Sequence, residues 1–404
     1  MREIKINKSA AAFLPLTVAV FNVFILLFPR EMTEAAKTGV SLWFNNVLPA
    51  LTPFVIGANL LMALGAVHFL SVLLNPIMKP LFGVPGSGGF AFAVGLMSGS
   101  PVGAKVTCEL RENGNITAAE GQRLLSFTNN CGPLFILGAV AAFMLDNVAV
   151  GYFIITAHII SAILIGLVFK NYGSKQDKTS KRSAASKRNR GYNILSQAFQ
   201  AMIHARRQDN RSFGQILGTS VLKAMETLLL IGGFIIVFNV LSTALQLIGV
   251  FSTLSGLFSQ IINLPDGLFE GIMMGFLEMA SGSNAISTAY SGRVVHIALL
   301  GVISWGGLSV HAQAASYISK TDLSVSVYLF SKLLHTIFAI IVGIILYPIF
   351  SSAIERAAPI AAGAFPSSTI GMFARSSLLL GYTLVGVLVL VILIAIFHAF
   401  RAKK

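Results

Sequence analysis

Polar side chains that could bind a solute interrupt the apolar sequence at a few short stretches. The first stretch begins at Gly95, reads Gly-Leu-Met-Ser-Gly-Ser-Pro-Val-Gly-Ala-Lys, and contains Ser98, Ser100 and Lys105. In hydrocarbon, backbone groups without a hydrogen-bond partner are costly, so such a broken stretch survives only where protein or a water-filled cavity surrounds it. Hydroxyl groups and the N-termini of broken helices can bind polar solutes there, and helix N-termini favour anions.

A second stretch of the same character begins at Gly275, 180 residues after the first. It reads Gly-Phe-Leu-Glu-Met-Ala-Ser-Gly-Ser-Asn-Ala and contributes Glu278, Ser281, Ser283 and Asn284. Paired broken segments are typical of transporters with internal repeats, whose substrate site lies near the midplane of the membrane. We therefore predict that the two stretches approach each other near the membrane centre.

Two more polar groups lie beside predicted breaks in helices. Asn129 and Asn130 come shortly before Pro133, which removes a backbone donor and disfavours a helical conformation at the residue before it. His311 and Gln313 follow a pair of adjacent glycines. The serines of the two polar stretches can instead donate hydrogen bonds to the backbone of their own helices. The predicted substrate-binding residues are Ser98, Ser100, Asn129, Asn130, Ser281, Ser283, Asn284 and Gln313.

The composition is that of a polytopic membrane protein. Of the 404 residues, 55% are hydrophobic and 11% are charged, whereas soluble domains have about 25% charged residues. The net charge is +14, but eleven Lys and Arg against two acidic residues fall between Lys170 and Arg211. A basic loop between apolar blocks is cytoplasmic by the positive-inside rule, so no nucleic-acid partner is expected. Cys108 and Cys131 have no metal-site spacing and make no disulfide framework.

Apolar segments of spanning length predict an all-α membrane protein with about eight transmembrane helices and two re-entrant helical hairpins. The pattern His-x-Ile-x-Ala-Ile-x-x-Gly begins at both His158 and His335, and we expect both histidines to form interhelical hydrogen bonds. One anchor and three spans precede the basic loop, and three spans and a last helix follow it, which predicts an inverted repeat with both termini in the cytoplasm. The predicted parts are an N-terminal anchor helix (1–30), a first repeat (31–169), a basic cytoplasmic loop (170–212), a second repeat (213–350), and a loop with a C-terminal transmembrane helix (351–404).

Two local features are predicted as well. Thr117 is expected to cap a helix together with Glu120, three residues later. Trp43 and Phe44 are expected to anchor the chain at the membrane interface, ahead of a span from about residue 47 to residue 64.

Three motifs also indicate a family: residues 95–105, Ser-Phe-Thr-Asn from Ser126, and Gly-Leu-Ser-Val-His-Ala-Gln-Ala from Gly307. They resemble the YlbJ (SpoVV) family of sporulation integral membrane proteins, which has two nucleoside-recognition gate domains, and the resemblance covers nearly the whole chain. It implies that each predicted repeat is a gate domain and that the fold is similar to concentrative nucleoside transporters, with two re-entrant hairpins and two unwound helices around a central site. It further implies the outer forespore membrane of a sporulating Firmicute, and a role in moving dipicolinic acid, a small aromatic dicarboxylate, during spore maturation.

The implied dicarboxylate limits what Glu278 can do. Intramembrane carboxylates usually face a cavity, a cation or a proton path. A bare glutamate repels a dicarboxylate in a low-dielectric cavity, whereas a protonated or cation-paired glutamate can donate or bridge. We assign Glu278, Lys105 and His311 to coupling or gating, with a proton or a sodium ion as the coupling species and no other cofactor. Lys105 could instead be only a cytoplasmic anchor, and His311 could stabilise the unwound segment.

Several functions remain open at this point. Transport of a small carboxylate solute comes first, and the alternatives are a nucleoside transporter and a membrane receptor or assembly factor for spore cortex formation that keeps a transporter scaffold. An enzyme is not expected, because residues 99–105 lack the Gly-Lys-Ser/Thr ending of a phosphate-binding loop and no nucleophile has a visible partner. The expected partners are an anionic solute, the lipid bilayer and, in a homo-oligomer, further copies of the chain.

Overall fold

A computed structural model of the chain describes residues 8–133, 135–173, 194–259, 267–289 and 292–357. Within these ranges the regular secondary structure is helical throughout, without a β-strand, which confirms the all-α prediction. The predicted C-terminal transmembrane helix lies outside the described residues.

The helices follow one another with short connections. In the first half they are α1 (Lys8–Leu27), α2 (Pro29–Leu42), a π-helical turn (Trp43–Val47), α3 (Leu48–Ala63), α4 (Ala66–Phe82), α5 (Ser87–Ser98), α6 (Val102–Glu112), α7 (Ala118–Thr128), a π-helical segment (Phe135–Met144) and α8 (Val148–Phe169). In the second half they are α9 (Ile194–Gln208), α10 (Phe213–Leu247), α11 (Val250–Ser259), α12 (Leu268–Leu277), α13 (Met279–Ala289), α14 (Arg293–Trp305), α15 (Gly307–Ile318) and α16 (Val325–Arg356). The predicted capping box of Thr117 and Glu120 is confirmed at the start of α7.

Two helical hairpins lie at the two polar stretches, and we call α5 and α6 hairpin 1 and α12 and α13 hairpin 2. In hairpin 1 the two helices pack so closely that a Cβ on Gly95 would lie only 3.1 Å from Cα of Gly103. In hairpin 2 a Cβ on Gly271 would lie 3.1 Å from the backbone nitrogen of Ile286. The small residues of the two stretches therefore serve helix packing as well as the turns. That the hairpins are re-entrant stays a prediction.

Two helices are broken, both at predicted positions. Break 1, residues 129–132, separates α7 from the π-helical segment and precedes Pro133. Break 2, residues 306–307, separates α14 from α15. There Gly306 and Gly307 have φ values of 89° and 78°, a left-handed conformation that favours glycine.

Helices α2 and α3 form one helical run, because the π-helical turn joins them, and this run packs along α10 in the antiparallel direction. The Nδ2 atom of Asn59 donates to the carbonyl of Ser220 at 3.1 Å. Toward the other end, a Cβ on Gly39 would lie 2.9 Å from Cα of Ile236. Along the contact, residue numbers thus increase on one helix while they decrease on the other, which makes the two helices antiparallel.

Trp43 is a packing residue of this helix pair, and its predicted role as an interfacial anchor stays a prediction. Its indole Nε1 donates to the carbonyl of Leu228 at 2.9 Å. A Cβ on Gly232 would lie 2.6 Å from the indole ring, so the indole fits because this glycine has no side chain. Phe44 remains exposed.

The closing helices of the two halves, α8 and α16, are also antiparallel. Asn147 at the start of α8 donates through Nδ2 to the carbonyl of Ile354 near the end of α16 at 3.0 Å. Further along, the rings of Phe153 and Tyr347 are 5.3 Å apart. Both halves therefore contain a long helix, a hairpin, a broken helix and a second long helix in the same order. The division into two gate repeats stays a prediction that this order supports.

Four helical segments in the described ranges are long and apolar enough to cross a membrane: α8, α10, α14 with α15, and α16. A fifth span results if α3 and α4 count as one span with a bend of 83°. The prediction of about eight spans is not settled by these lengths.

The predicted basic loop between the two halves contains a helix that the sequence analysis did not predict. Helix α9 occupies Ile194–Gln208 and packs on α4, with the rings of Phe69 and Phe199 5.0 Å apart in an edge-to-face arrangement. The apolar residues of α9 recur at helical spacing, so the segment folds against α4 despite its basic residues. Residues 174–193 of the predicted loop lie outside the described ranges.

Candidate functional site

A cavity of about 360 Å³ lies where the tips of both hairpins meet both breaks. Its volume is within the range of about 300–1,000 Å³ that is usual for small-ligand pockets. Apolar side chains of the α2–α3 run and of α10 close one side. Its polar lining includes Asn45, Ser98, Ser100, Asn129, Asn130, Glu278, Ser304, Ser309, Gln313, Tyr328 and Lys332.

Each hairpin tip touches the break of its own half. A Cβ on Gly99 would lie 2.8 Å from the backbone nitrogen of Gly132 in break 1. A Cβ on Gly307 in break 2 would lie 2.9 Å from the backbone nitrogen of Met279. These close approaches of backbone to backbone bring the two tips to one cavity, which accords with the predicted approach of the two polar stretches.

Lys332 on α16 presents its side-chain amino group to this cavity. The residue is 2% exposed, and its Nζ lies 3.4 Å from Oδ1 of Asn130. The ion pairs found among the described residues do not include it. A buried charge is stable only with a partner, so a carboxylate in the cavity would complete the surroundings of Lys332.

Asn130 is held so that its Oδ1 faces Lys332. Its Nδ2 donates to the carbonyl of Phe127 at 2.6 Å. Its own carbonyl accepts a hydrogen bond from Oγ of Ser100 at 2.9 Å, which ties break 1 to the tip of hairpin 1. All four predicted substrate-binding residues of the first half, Ser98, Ser100, Asn129 and Asn130, line the cavity.

Other polar atoms on the wall have no partner among the described residues. Asn129 donates through Nδ2 to the hydroxyl of Tyr328 at 2.7 Å, but its Oδ1 is buried and unbonded. The Oγ of Ser309 is likewise buried and unbonded. Gln313, also buried, lies on the same wall. Because buried polar groups normally have partners, these atoms are candidates for contact with a solute.

Glu278 lies at the tip of hairpin 2 and caps the helix that follows it. Its Oε1 accepts a hydrogen bond from the backbone N–H of Ala280 at 3.0 Å, and its Oε2 accepts from that of Ser281 at 2.6 Å. A carboxylate is favourable at a helix N-terminus, where backbone N–H groups lack helical acceptors. Glu278 therefore has a structural role at the cavity wall, and its coupling role stays a prediction.

Three predicted substrate-binding residues of the second half do not lie on the cavity wall. Ser281 donates from Oγ to Oδ1 of Asn239 on α10 at 2.8 Å. Ser283 is fully buried away from the wall, and Asn284 is exposed. The reason is that Glu278 alone makes the turn of hairpin 2, so these residues already belong to α13.

Lys105 and His311 lie close to the cavity but not on its wall. The Nζ of Lys105 donates to Oγ1 of Thr227 on α10 at 3.0 Å, where it joins hairpin 1 to the other half. The Nδ1 of His311 is 3.1 Å from the hydroxyl of Tyr328, so His311 lies behind Tyr328. Gating by either residue would act through these partners, without contact to the solute.

The interhelical hydrogen bonds predicted for His158 and His335 are confirmed. His158 lies between Cys131 in break 1 and Ser304 beside break 2, at 3.2 Å and 2.9 Å. His335 bonds the backbone carbonyl of His158 at 3.1 Å.

Lys332, Tyr328, Ser304 and Ser309 were not singled out by the sequence. For Lys332 a signal existed: it is a lone lysine inside a long apolar helix, and an ionisable residue in such a place is a functional candidate. Tyr328 lies one helical turn before it, on the same face. The two serines gave no signal of their own, because serine occurs throughout the apolar helices.

Sequence comparison finds relatives of this chain among known proteins. The sporulation integral membrane protein YlbJ of Bacillus subtilis is 36% identical over 348 residues, which cover 85% of this chain and 83% of that protein. An uncharacterised protein of Alkalihalophilus pseudofirmus is 27% identical over 154 residues, which cover 36% of this chain and 33% of that protein. No family model and no solved structure matches the chain. The predicted likeness to concentrative nucleoside transporters stays a prediction.

Proposed function

Since the chain belongs to the family of the sporulation integral membrane protein YlbJ, we propose that it is a transporter of a small carboxylate solute. It is an integral membrane protein with several apolar helices. In this proposal the solute is dipicolinic acid, the membrane is the outer forespore membrane of a sporulating cell, and both termini are cytoplasmic.

The observation that carries the proposal is the buried amino group of Lys332, which the proposal takes to be an ammonium. It lies on a cavity whose volume suits a small ligand, and its polar contact among the described residues is the amide oxygen of Asn130. Charge-assisted hydrogen bonds are stronger than neutral ones, so a solute carboxylate is the partner that stabilises this lysine best. A neutral nucleoside would leave the ammonium unpaired.

Polar atoms on the cavity wall that have no hydrogen-bond partner would make further contacts with the solute. A hydroxyl such as that of Ser309 can donate to a second carboxylate, whereas the unbonded Oδ1 of Asn129 can accept from a protonated ring or a bound water. The wall thus offers a cation, donors and acceptors, which suits binding and release of an unchanged solute. We therefore propose a carrier rather than an enzyme.

Solute uptake into proteoliposomes tests the proposal. Purified protein is reconstituted, and uptake of labelled dipicolinate is compared with that of a monocarboxylate and a nucleoside. We expect saturable uptake of dipicolinate that unlabelled dipicolinate inhibits and the nucleoside does not. Uptake of the nucleoside alone would support the nucleoside transporter. Solute binding without uptake of any compound would support the receptor.

A further inference from the structure

His158 connects the two breaks through both nitrogen atoms of its ring. The residue is 1% exposed and lies in the middle of α8. Its Nε2 is 3.2 Å from the backbone nitrogen of Cys131, and its Nδ1 is 2.9 Å from Oγ of Ser304. Cys131 belongs to break 1 of the first half, whereas Ser304 is the last residue but one of α14, just before break 2 of the second half.

The chemistry of these contacts fixes the protonation of the ring. A backbone N–H can only donate, so Nε2 of His158 must accept the hydrogen bond from Cys131 and carries no proton. The imidazole is then neutral with its proton on Nδ1, and it donates to the hydroxyl of Ser304. An imidazolium would lose the bond to Cys131, because both of its nitrogens are donors.

The segment that His158 holds is the one that carries the proposed solute contacts. Asn130, the neighbour of Cys131, contacts Lys332 with its side chain and accepts from Ser100 with its carbonyl. Ser304 and the residues around break 2 line the same cavity. The two breaks do not otherwise share a hydrogen bond that is found among the described residues. The imidazole therefore joins the two breaks, both of which line the cavity.

We propose that His158 is a positioning residue that sets the separation of the two breaks and thereby the fit of the carboxylate solute. This inference rests on the proposed function for its solute but not for its geometry. Without the imidazole, the N–H of Cys131 would be buried and unbonded, because break 1 offers it no helical acceptor. Break 1 would then rearrange to satisfy it and would displace Asn130 from Lys332.

Affinity measurements on two substitutions test the proposal. Leucine at position 158 keeps the volume but removes both hydrogen bonds, whereas glutamine can accept from Cys131 and donate to Ser304. We expect His158→Leu to raise the Kd for dipicolinate by about tenfold or more, which corresponds to at least 1.4 kcal/mol. His158→Gln should restore most of the affinity. His296→Leu is the matched control, because His296 is also buried but bonds Tyr347 and does not line the cavity.

A double-mutant cycle separates positioning from general destabilisation. If His158 acts through Ser304, the effects of His158→Leu and Ser304→Ala on Kd should not multiply, since both remove the same bond. Fully multiplicative effects, an unchanged Kd in His158→Leu, or an equal loss of affinity in His296→Leu would each overturn the proposal.

The reactivity of Cys131 gives a readout that needs no solute. In a Cys108→Ala background, Cys131 is the one remaining cysteine of the chain, and it lies on the cavity wall. We expect His158→Leu to increase its rate of modification by a small methanethiosulfonate about tenfold, as for an opening equilibrium shifted by 1.4 kcal/mol. An unchanged rate would overturn the positioning role even if dipicolinate binds. A parent protein that binds no carboxylate, with the rate increase present, would instead refute the proposed function and leave the positioning role intact.

Discussion

His335 donates from Nε2 to the backbone carbonyl of His158 at 3.1 Å, and the two imidazole rings have centroids 4.8 Å apart. The two histidines occupy the same position of the repeated sequence pattern, in antiparallel helices. When equivalent positions of two antiparallel elements meet, an approximate two-fold axis passes between them. This is the relationship expected of halves that begin on opposite faces of a membrane.

The antiparallel closing helices predict which positions share a membrane face. The start of α8 lies beside the end of α16, so cysteines at Leu145 and Ser352 should react from one side. Cysteines at Tyr172 and Lys320 should react from the other side, the cytoplasmic one, because Tyr172 leads into the basic segment. A membrane-impermeant maleimide applied to intact and to permeabilised cells measures this. Labelling of Leu145→Cys and Ser352→Cys from different sides would contradict the inverted arrangement.

Proline and glycine residues in the sequence predicted where the helices break and turn. Pro133 and the pair Gly306-Gly307 marked the two breaks, and the glycines and prolines around residue 100 marked hairpin 1. These residues act locally, through a missing donor or a left-handed conformation, so their effect can be predicted without tertiary structure. Contacts between distant helices could not be predicted in the same way. The packing of Trp43 on Gly232 depends on the register of two helices that are almost 190 residues apart.

Substitutions of Glu278 separate its capping role from a coupling role. Glu278→Gln keeps an acceptor for the N–H groups of α13 but cannot titrate, so it should retain solute binding and change the pH or ion dependence of transport. Glu278→Ala also loses the cap and should lower the free energy of unfolding by about 0.5–2 kcal/mol. Uptake at several pH values and sodium concentrations, with denaturant unfolding in detergent, measures both effects. Uptake with unchanged pH and ion dependence in both variants would leave Glu278 as a cap alone.

The contact between Gly99 and Gly132 should be essential for the cavity. Gly99→Ala introduces a methyl group 2.8 Å from a backbone nitrogen of break 1, which the backbone cannot accommodate without moving. We expect this variant to lose solute binding while the protein still inserts into the membrane.

Gly114→Ala is the control for this substitution. Both glycines have a positive φ, 77° at Gly99 and 71° at Gly114, so alanine is strained at both positions. At Gly99 the strain is the greater, because its ψ of −171° lies in a region that is essentially restricted to glycine. A Cβ on Gly114, however, would meet nothing within 4 Å. Equal loss of binding in the two variants would show that backbone strain, and not the contact with break 1, is responsible.

Arg123 should contribute to stability through backbone contacts. It is 3% exposed, its Nε donates to the carbonyl of Tyr172 at 2.7 Å, and its Nη1 donates to that of Gly83 at 2.6 Å. Arg123→Met should lower the free energy of unfolding by about 1.5–3 kcal/mol, because hydrogen bonds from a charged donor are lost. Arg111→Met, which breaks a more exposed ion pair with Asp322, should cost about 0–1 kcal/mol. Denaturant unfolding would contradict this ranking if Arg111→Met were the more costly change.

The candidate site shows why Lys332 was harder to predict than the breaks. Its importance comes from burial and from the lack of a carboxylate beside it, and both depend on how α16 packs against break 1. The sequence marks it as a lone lysine in a long apolar helix but does not show which residues surround it. The serines of the second polar stretch were misplaced for the converse reason: one residue, Glu278, makes the whole turn.

Calorimetric titration of dipicolinate into purified protein with methionine at position 332 tests the role of the buried ammonium. Methionine keeps most of the length of the side chain and removes the charge, so Lys332→Met should raise Kd roughly tenfold to a hundredfold, as for the loss of a charge-assisted hydrogen bond. Lys79→Met, at an exposed lysine of α4, should bind dipicolinate like the parent. Equal affinity of the parent, Lys332→Met and Lys79→Met would contradict the assignment of Lys332 as the group that binds the carboxylate.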